Sequence, residues 1–210
     1  GQGSDSIRMT GGDVTGGQIL GNSGADSITI NGTANSALVH GGAGNDSLTV
    51  GAIVGGTAGG GLGADTLIVN GKVTGAEVLM TSKSDPNSSS DGADSLTVAS
   101  SMSNSTVYAG AGNDTIKLER GATKLYINGG AGADSIFAAT GIDSFSVLGG
   151  NGADTMTLVD NGYAKTSAGA YFDGGSGVDV FNQNAFLTAI AITSVLTKQS
   201  LANIAYGSGD

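Results

Sequence analysis

Nine aspartates recur along this chain: Asp5, Asp26, Asp46, Asp65, Asp94, Asp114, Asp134, Asp154 and Asp179. Their spacings are 21, 20, 19, 29, 20, 20, 20 and 25 residues. Each closes a glycine-rich phrase. The phrases read SGADSITI at 23–30, GGAGNDSLTV at 41–50, GGLGADTLIV at 60–69, DGADSLTV at 91–98 and AGAGNDTIKL at 109–118. GGAGADSIF follows at 129–137, GGNGADTMT at 149–157 and GGSGVDVF at 174–181, and a partial copy, GQGSDSIRM, opens the chain. Glycine permits backbone angles with φ > 0, so such a turn can aim several carbonyl oxygens at one point. The aspartate adds a hard anionic oxygen. Carbonyls plus carboxylates, six or more oxygens in all, are the preference of calcium.

Elements must place these turns one above another. A fixed period near 20 residues is the signature of a solenoid. From Asp114 to Asp134 the sequence predicts a strand at Thr115–Leu118, a turn at 119–123, a strand at Lys124–Ile127 and a glycine turn at 128–133. The next coil repeats this with strands at Ser135–Ala138 and Ser144–Leu148 and a turn between them at 139–143. Strand side chains alternate faces, so inward positions should form apolar columns. Two residues after each aspartate the column reads Ile7, Ile28, Leu48, Leu67, Leu96, Ile116, Ile136, Met156, Phe181. Four after, it reads Met9, Ile30, Val50, Val69, Val98, Leu118, Ala138, Leu158 and then Gln183. Seven before, it reads Ile19, Val39, Ala58, Val107, Ile127, Val147, Phe172, broken only before Asp94. The predicted fold is all-β: a right-handed parallel β-roll or β-helix solenoid, about 20 residues per coil, with calcium ions along one edge.

Residues 1–182 are assigned to this roll, with surface loops inserted near 83–91, after a strand near Glu77–Thr81, and near 160–169. Residues 183–210 are assigned to an irregular or lateral β segment leading into a further repeat. The chain reads as a slice of a longer repetitive protein. Stacked coils lie about 4.8 Å apart. Neighbouring carboxylates at that spacing repel by roughly 1 kcal/mol in water and about 3–4 kcal/mol at an effective dielectric near 20. A cation between the turns would remove that opposition.

Composition narrows the partners. Thirty-nine glycines and a net charge of −10 mark an acidic, aromatic-poor chain, which argues against nucleic acid and anionic membrane surfaces. There is no cysteine, so stability must come from something other than disulfides. No run of about 18 apolar residues encodes a transmembrane segment. His40 has no second His or Cys to complete a zinc site, and Asp13, Asp143 and Asp160 read as ordinary turn acids. No nucleophile–base set is present, and the chain reads as a non-enzyme.

The phrase GGAGNDSLT at 41–49 and its variants resemble the glycine-rich nonapeptide of the RTX (repeats-in-toxin) family, G-G-x-G-x-D-x-U-x. The match is nearly full at 41–49, 129–137, 149–157 and 174–182, and copies cover most of the chain. The resemblance implies a parallel β-roll that binds several Ca²⁺ ions in its turns. It implies ligands at motif positions two, four and six of one turn and one, three and six of the next. The ion between 129–134 and 149–154 would then see Gly130, Gly132, Asp134, Gly149, Asn151 and Asp154. The ion between 41–46 and 60–65 would see Gly42, Gly44, Asp46, Gly60, Leu62 and Asp65. The same positions elsewhere fall on Gly1, Gly3 and Asp5, on Gly21, Asn22, Ser23, Gly24 and Asp26, and on Gly41 and Ala43. They also fall on Gly61 and Gly63, on Ala109, Gly110, Ala111, Gly112 and Asp114, on Gly129 and Ala131, on Gly150 and Gly152, and on Gly174, Ser176 and Asp179.

Typical RTX rolls carry the motif on both edges with an 18-residue coil. Here one edge carries it and the other shows only irregular turns such as TGIDS at 140–144, so one calcium ladder is expected. In the turn at 89–94, Ser89 and Ser90 replace the leading glycines. Asp91 and Asp94 are its candidate ligands: either the Asp91 carboxylate compensates for the missing glycines, or this turn is the weak point of the ladder. The resemblance is strongest to RTX-type S-layer proteins. It implies a secreted bacterial cell-surface module, an S-layer or extracellular scaffold that self-associates with Ca²⁺, with a cell-surface polysaccharide as a further partner. The alternative is the calcium-dependent folding segment of a type I-secreted toxin, protease or adhesin.

Overall fold

The computed structural model describes residues 1–82, 91–139, 142–159 and 171–183. All regular structure in them is β, and every strand pairing is parallel. The chain winds as a solenoid. Thr115 lies opposite Ser135 and Ser135 opposite Thr155, so each strand bonds to the one a coil further on. The loop proposed near 160–169 lies outside the described residues, as does all of the lateral segment beyond Gln183.

Two long ladders run the length of the stack. One consists of the strands that follow the aspartates, among them Ser6–Met9, Thr66–Val69, Ser95–Val98, Thr115–Leu118 and Thr155–Val159. The other leads into the glycine turns and includes Gln18–Ser23, Leu38–Ala43, Thr57–Leu62, Met102–Ala111 and Ala122–Ala131. These strands exceed the predicted ones because the first three motif positions stay in the ladder: Gly130 pairs Gly150 and Ala131 pairs Asn151. A parallel ladder can run through glycine where the neighbouring backbone approaches closely.

The three apolar columns meet inside. Ile28, Leu48, Leu67, Leu96 and Ile116 are buried, as are Ile30, Val50, Val69, Val98 and Leu118. The column seven before the aspartates is continuous where the sequence shows a gap, because Val78 fills it, paired with Ala58 on one side and Val107 on the other. A fourth column was not anticipated: Ala34, Ile53, Val73, Met102 and Ala122 are all buried at the far corner. Ile7, Ile19, Phe172 and Phe181, in the first and last described coils, are only partly buried. The aromatic rings of Phe172 and Phe181 pack 5.2 Å apart there.

The second edge is regular. Gly16, Ser36, Gly55, Gly75, Asn104, Lys124 and Ser144 each hold φ between 49° and 65°, and Gly17 and Gly56 add a second left-handed residue in two of the coils. Each is a left-handed corner; the pairing lapses for two residues in the earlier coils, as between Thr15 and Gln18 and between Asn35 and Leu38, and for one in the later coils. Pairing of Met102 and Ser103 with Ala122 and Thr123 resumes at Ser105 with Leu125, skipping Asn104 and Lys124. Coil length varies by one residue at this edge. Between Ile30 and Thr33 the register shifts against Val50 and Ala52, a bulge that absorbs the extra residue.

Candidate metal centre

The aspartates line one edge as a hydrogen-bonded column. The backbone N–H of Asp114 donates to Oδ1 of Asp134 at 2.8 Å, and that of Asp134 donates to Oδ1 of Asp154 at 2.8 Å. The same bond links Asp5 to Asp26, Asp26 to Asp46 and Asp46 to Asp65, each at 2.7 Å. It continues from Asp65 to Asp94 at 2.6 Å, Asp94 to Asp114 at 2.8 Å and Asp154 to Asp179 at 3.0 Å. One carboxylate oxygen per coil is thereby satisfied. The other is not: Oδ2 of Asp26, Asp46, Asp65, Asp94, Asp114, Asp134 and Asp154 is buried with no hydrogen-bond partner. These residues are only 1–3% exposed. Asp5 and Asp179, at the two ends of the column, are half-buried.

Glycine makes the surrounding cradle. Gly130 and Gly132 have φ of +106° and +133°, conformations that L side chains rarely adopt. A Cβ on Gly130 would strike the carbonyl of Gly110, and one on Gly132 the carbonyl of Gly112. The carbonyls at positions two and four of one turn therefore face the following turn. A Cβ on Gly129 would meet both Oδ2 of Asp134 and the carbonyl of Gly149. The position-one carbonyl thus faces back, towards the orphaned carboxylate oxygen of the preceding coil. At position three the carbonyl of Asn151 accepts from Gly132 N–H at 2.7 Å, and that of Ala131 from Gly112 N–H at 2.7 Å. Main-chain carbonyls and a carboxylate oxygen of adjacent turns thus lie close together at this edge.

Burial pushes the carboxyl of Asp65 up to about 7, Asp94 to about 9, Asp114 to about 6 and Asp134 to about 7. Asp46 and Asp154 are raised for the same reason. The N–H of the preceding aspartate opposes the rise, and a neighbouring carboxylate adds to it. A buried anionic oxygen with no partner is costly, and a cation relieves desolvation and repulsion together. Among the described residues no three His, Cys, Asp or Glu side chains converge. A metal ion here would have to take most of its oxygens from the main chain, as a hard, many-oxygen cation can. His40 sits mid-strand in Leu38–Ala43, with its pKa lowered by burial.

One turn is built differently from its expected form. Met80 N–H donates to the Tyr108 carbonyl at 2.9 Å, and the side chain of Thr81 lies over Gly110. Met80 and Thr81 therefore occupy positions one and two of this coil. Counting back from Asp94 in the sequence puts Ser89 and Ser90 at those positions, and both lie outside the described residues. The chain rejoins the turn at Gly92, whose carbonyl lies over Gly112 as that of Gly112 lies over Gly132. The extra residues are inserted inside the turn rather than before it. Counting forward from Ala58 would have found this, since Val78 lies twenty residues on. Reading back from Asp94 could not.

The geometry defines a parallel β-solenoid with a column of buried aspartates along one edge. Three stretches, residues 31–52, 103–125 and 126–145, match the family model of the RTX calcium-binding nonapeptide repeat (4 copies), supporting the RTX family and Ca²⁺ as the ion. No curated protein and no solved structure matches the chain.

Proposed function

We propose that this chain is a calcium-rigidified structural module of a secreted bacterial cell-surface protein, an S-layer or extracellular scaffold. The observation that carries the calcium reading is the column of buried, unpartnered Asp Oδ2 atoms along one edge. In each gap the carbonyls of positions two and four and the carboxylate of one turn would act with the carbonyls of positions one and three and the carboxylate of the next. Between 129–134 and 149–154 these are Gly130, Gly132, Asp134, Gly149, Asn151 and Asp154. The bound ion supplies positive charge that neutralises the column and ties adjacent coils. The surface reading rests on the acidic, cysteine-free composition and on the absence of a catalytic set in the sequence.

Ordering each residue costs about 1–2 kcal/mol of backbone entropy, and a thin core of Val, Ile, Leu and Ala offsets only part of it. Metal binding energy then becomes folding energy. Circular dichroism in EGTA should show little β structure near neutral pH, and Ca²⁺ should restore it. Mg²⁺ at the same concentration should not, because it holds its waters and demands a tighter octahedron. Full β signal and unchanged melting in EGTA would refute the calcium reading. Sedimentation velocity of the Ca²⁺-loaded chain tests the scaffold reading. Growth of large assemblies supports it, and a strict monomer favours the folding segment of an exported toxin, protease or adhesin.

A further inference from the structure

One gap on the aspartate edge is filled rather than open, and the first position of its turn shows why. A Cβ built on Gly21, Gly129 or Gly149 falls between Oδ2 of the aspartate in its own turn and the position-one carbonyl of the next. It lies from both oxygens at the length of a calcium–oxygen bond, about 2.3–2.6 Å. Glycine at position one thus keeps clear the volume in which those two oxygens meet. Two turns carry a side chain there. Ala109 places a single methyl group at position one of its turn, which narrows the next gap without filling it. Met80 places a whole thioether chain at position one of the split turn. Both residues are 1% exposed and belong to the apolar core. Position two of the split turn is altered as well. A Cβ on Gly42, Gly61, Gly130, Gly150 or Gly175 would strike the position-two carbonyl oxygen of the preceding coil. On Gly110 it would meet the Asp91 carboxylate and the Thr81 side chain instead. That carboxylate is engaged by the Thr81 hydroxyl and by backbone N–H groups, Ala111 N–H at 3.2 Å among them.

We infer that the gap between the split turn and the turn at 109–114 does not accept Ca²⁺. The Met80 side chain takes the volume, and a hydrogen-bonded carboxylate stands in place of the position-two carbonyl. The ladder is therefore two arrays of ions, one on the turns up to Asp94 and one on the turns from 109 to 179. Asp94 stays a ligand of the first array, through the gap it shares with Asp65. Between the arrays, apolar contact by Met80 joins the coils where a cation joins them elsewhere, so this joint does not depend on Ca²⁺. Met80, twenty residues after Gly60, is the cause, rather than Ser89 and Ser90. Because each coil couples only to its neighbours, calcium-linked folding divides into two blocks at this joint. The inference rests on the calcium reading of the ladder.

Native mass spectrometry of the whole chain in Ca²⁺ counts the ions. Met80→Gly should bind one ion more than the unaltered chain, and Gly129→Met one fewer. Amide exchange gives a check that needs no substitution. Asp94 N–H crosses the ion-free gap to Oδ1 of Asp114 at 2.8 Å, and Asp134 N–H crosses an ion-bound gap to Oδ1 of Asp154 at 2.8 Å. In the Ca²⁺-loaded chain the Asp94 amide should exchange about tenfold faster or more. This comparison decides the matter if the variants do not fold. An unchanged ion count in either folded variant, or equal protection of the two amides, overturns the proposal and leaves the calcium ladder standing. If the unaltered chain binds no Ca²⁺, the ladder reading itself fails.

Discussion

Each interior aspartate does two jobs with two oxygens. Oδ1 of Asp134 caps the N–H of Asp114, while Oδ2 is buried without a hydrogen-bond partner and is the proposed cation ligand. Asp134→Ala should therefore do two kinds of damage. It leaves the Asp114 N–H buried and unpaired, at a cost of about 1–3 kcal/mol, and it weakens the ions on both sides. Asp13 also accepts a backbone N–H, that of Thr33 at 2.7 Å, but in an exposed position on the other edge. Asp13→Ala should shift the Ca²⁺ midpoint for folding little, and Asp134→Ala should raise it several-fold. Equal shifts would mean that the single-edge ladder is wrong. The raised carboxyls make a pH prediction as well. In the calcium-free fold Asp65, Asp114 and Asp134 titrate near 6–7 and Asp94 near 9, above the unfolded value of 3.8. The folded state therefore binds more protons than the unfolded one between those limits. Its stability falls as pH rises through that window. In EGTA the β signal should be larger at pH 4 than at pH 8. An apo chain that gains structure with alkali would overturn this account.

At the scale of the strand and its corner, the two edges solve one problem with different residues. The aspartate edge is legible because its chemistry is uniform, with aspartate at position six and glycine at most positions two and four. The opposite edge was not legible, because its left-handed residue is Gly, Ser, Asn or Lys, a set with no common side chain. What those residues share is a backbone angle, and only glycine announces that in sequence. Val78 was missed for a related reason, since counting back from Asp94 crosses an insertion placed inside the turn. The left-handed column leads to a prediction of its own. Lys124 holds φ at +53°, which costs an L residue about 1–2 kcal/mol relative to glycine. Lys124→Gly loses chain entropy in return, so a gain of about 0.5–1 kcal/mol is expected. The thermal midpoint in saturating Ca²⁺ should rise by a few degrees. A fall would show that Lys124 contributes something its backbone angle does not explain.

Across the whole molecule, contacts join each coil only to its neighbours, so stability is close to a sum of coil and interface terms. The inter-coil bonds run along the long axis, and axial tension loads them in series, one layer after another. Within a layer the load is uneven. One edge has the aspartate bonds and the candidate ions, whereas the other turns through single corner residues such as Asn104 and Lys124 that drop out of the pairing. The calcium edge would then behave as the spine of a book, with the corner edge as its fore-edge. Under tension, coils should gape at Asn104, Lys124 and Ser144 while the spine stays closed. Removing Ca²⁺ would turn the same rod from a stiff strut into one that extends coil by coil.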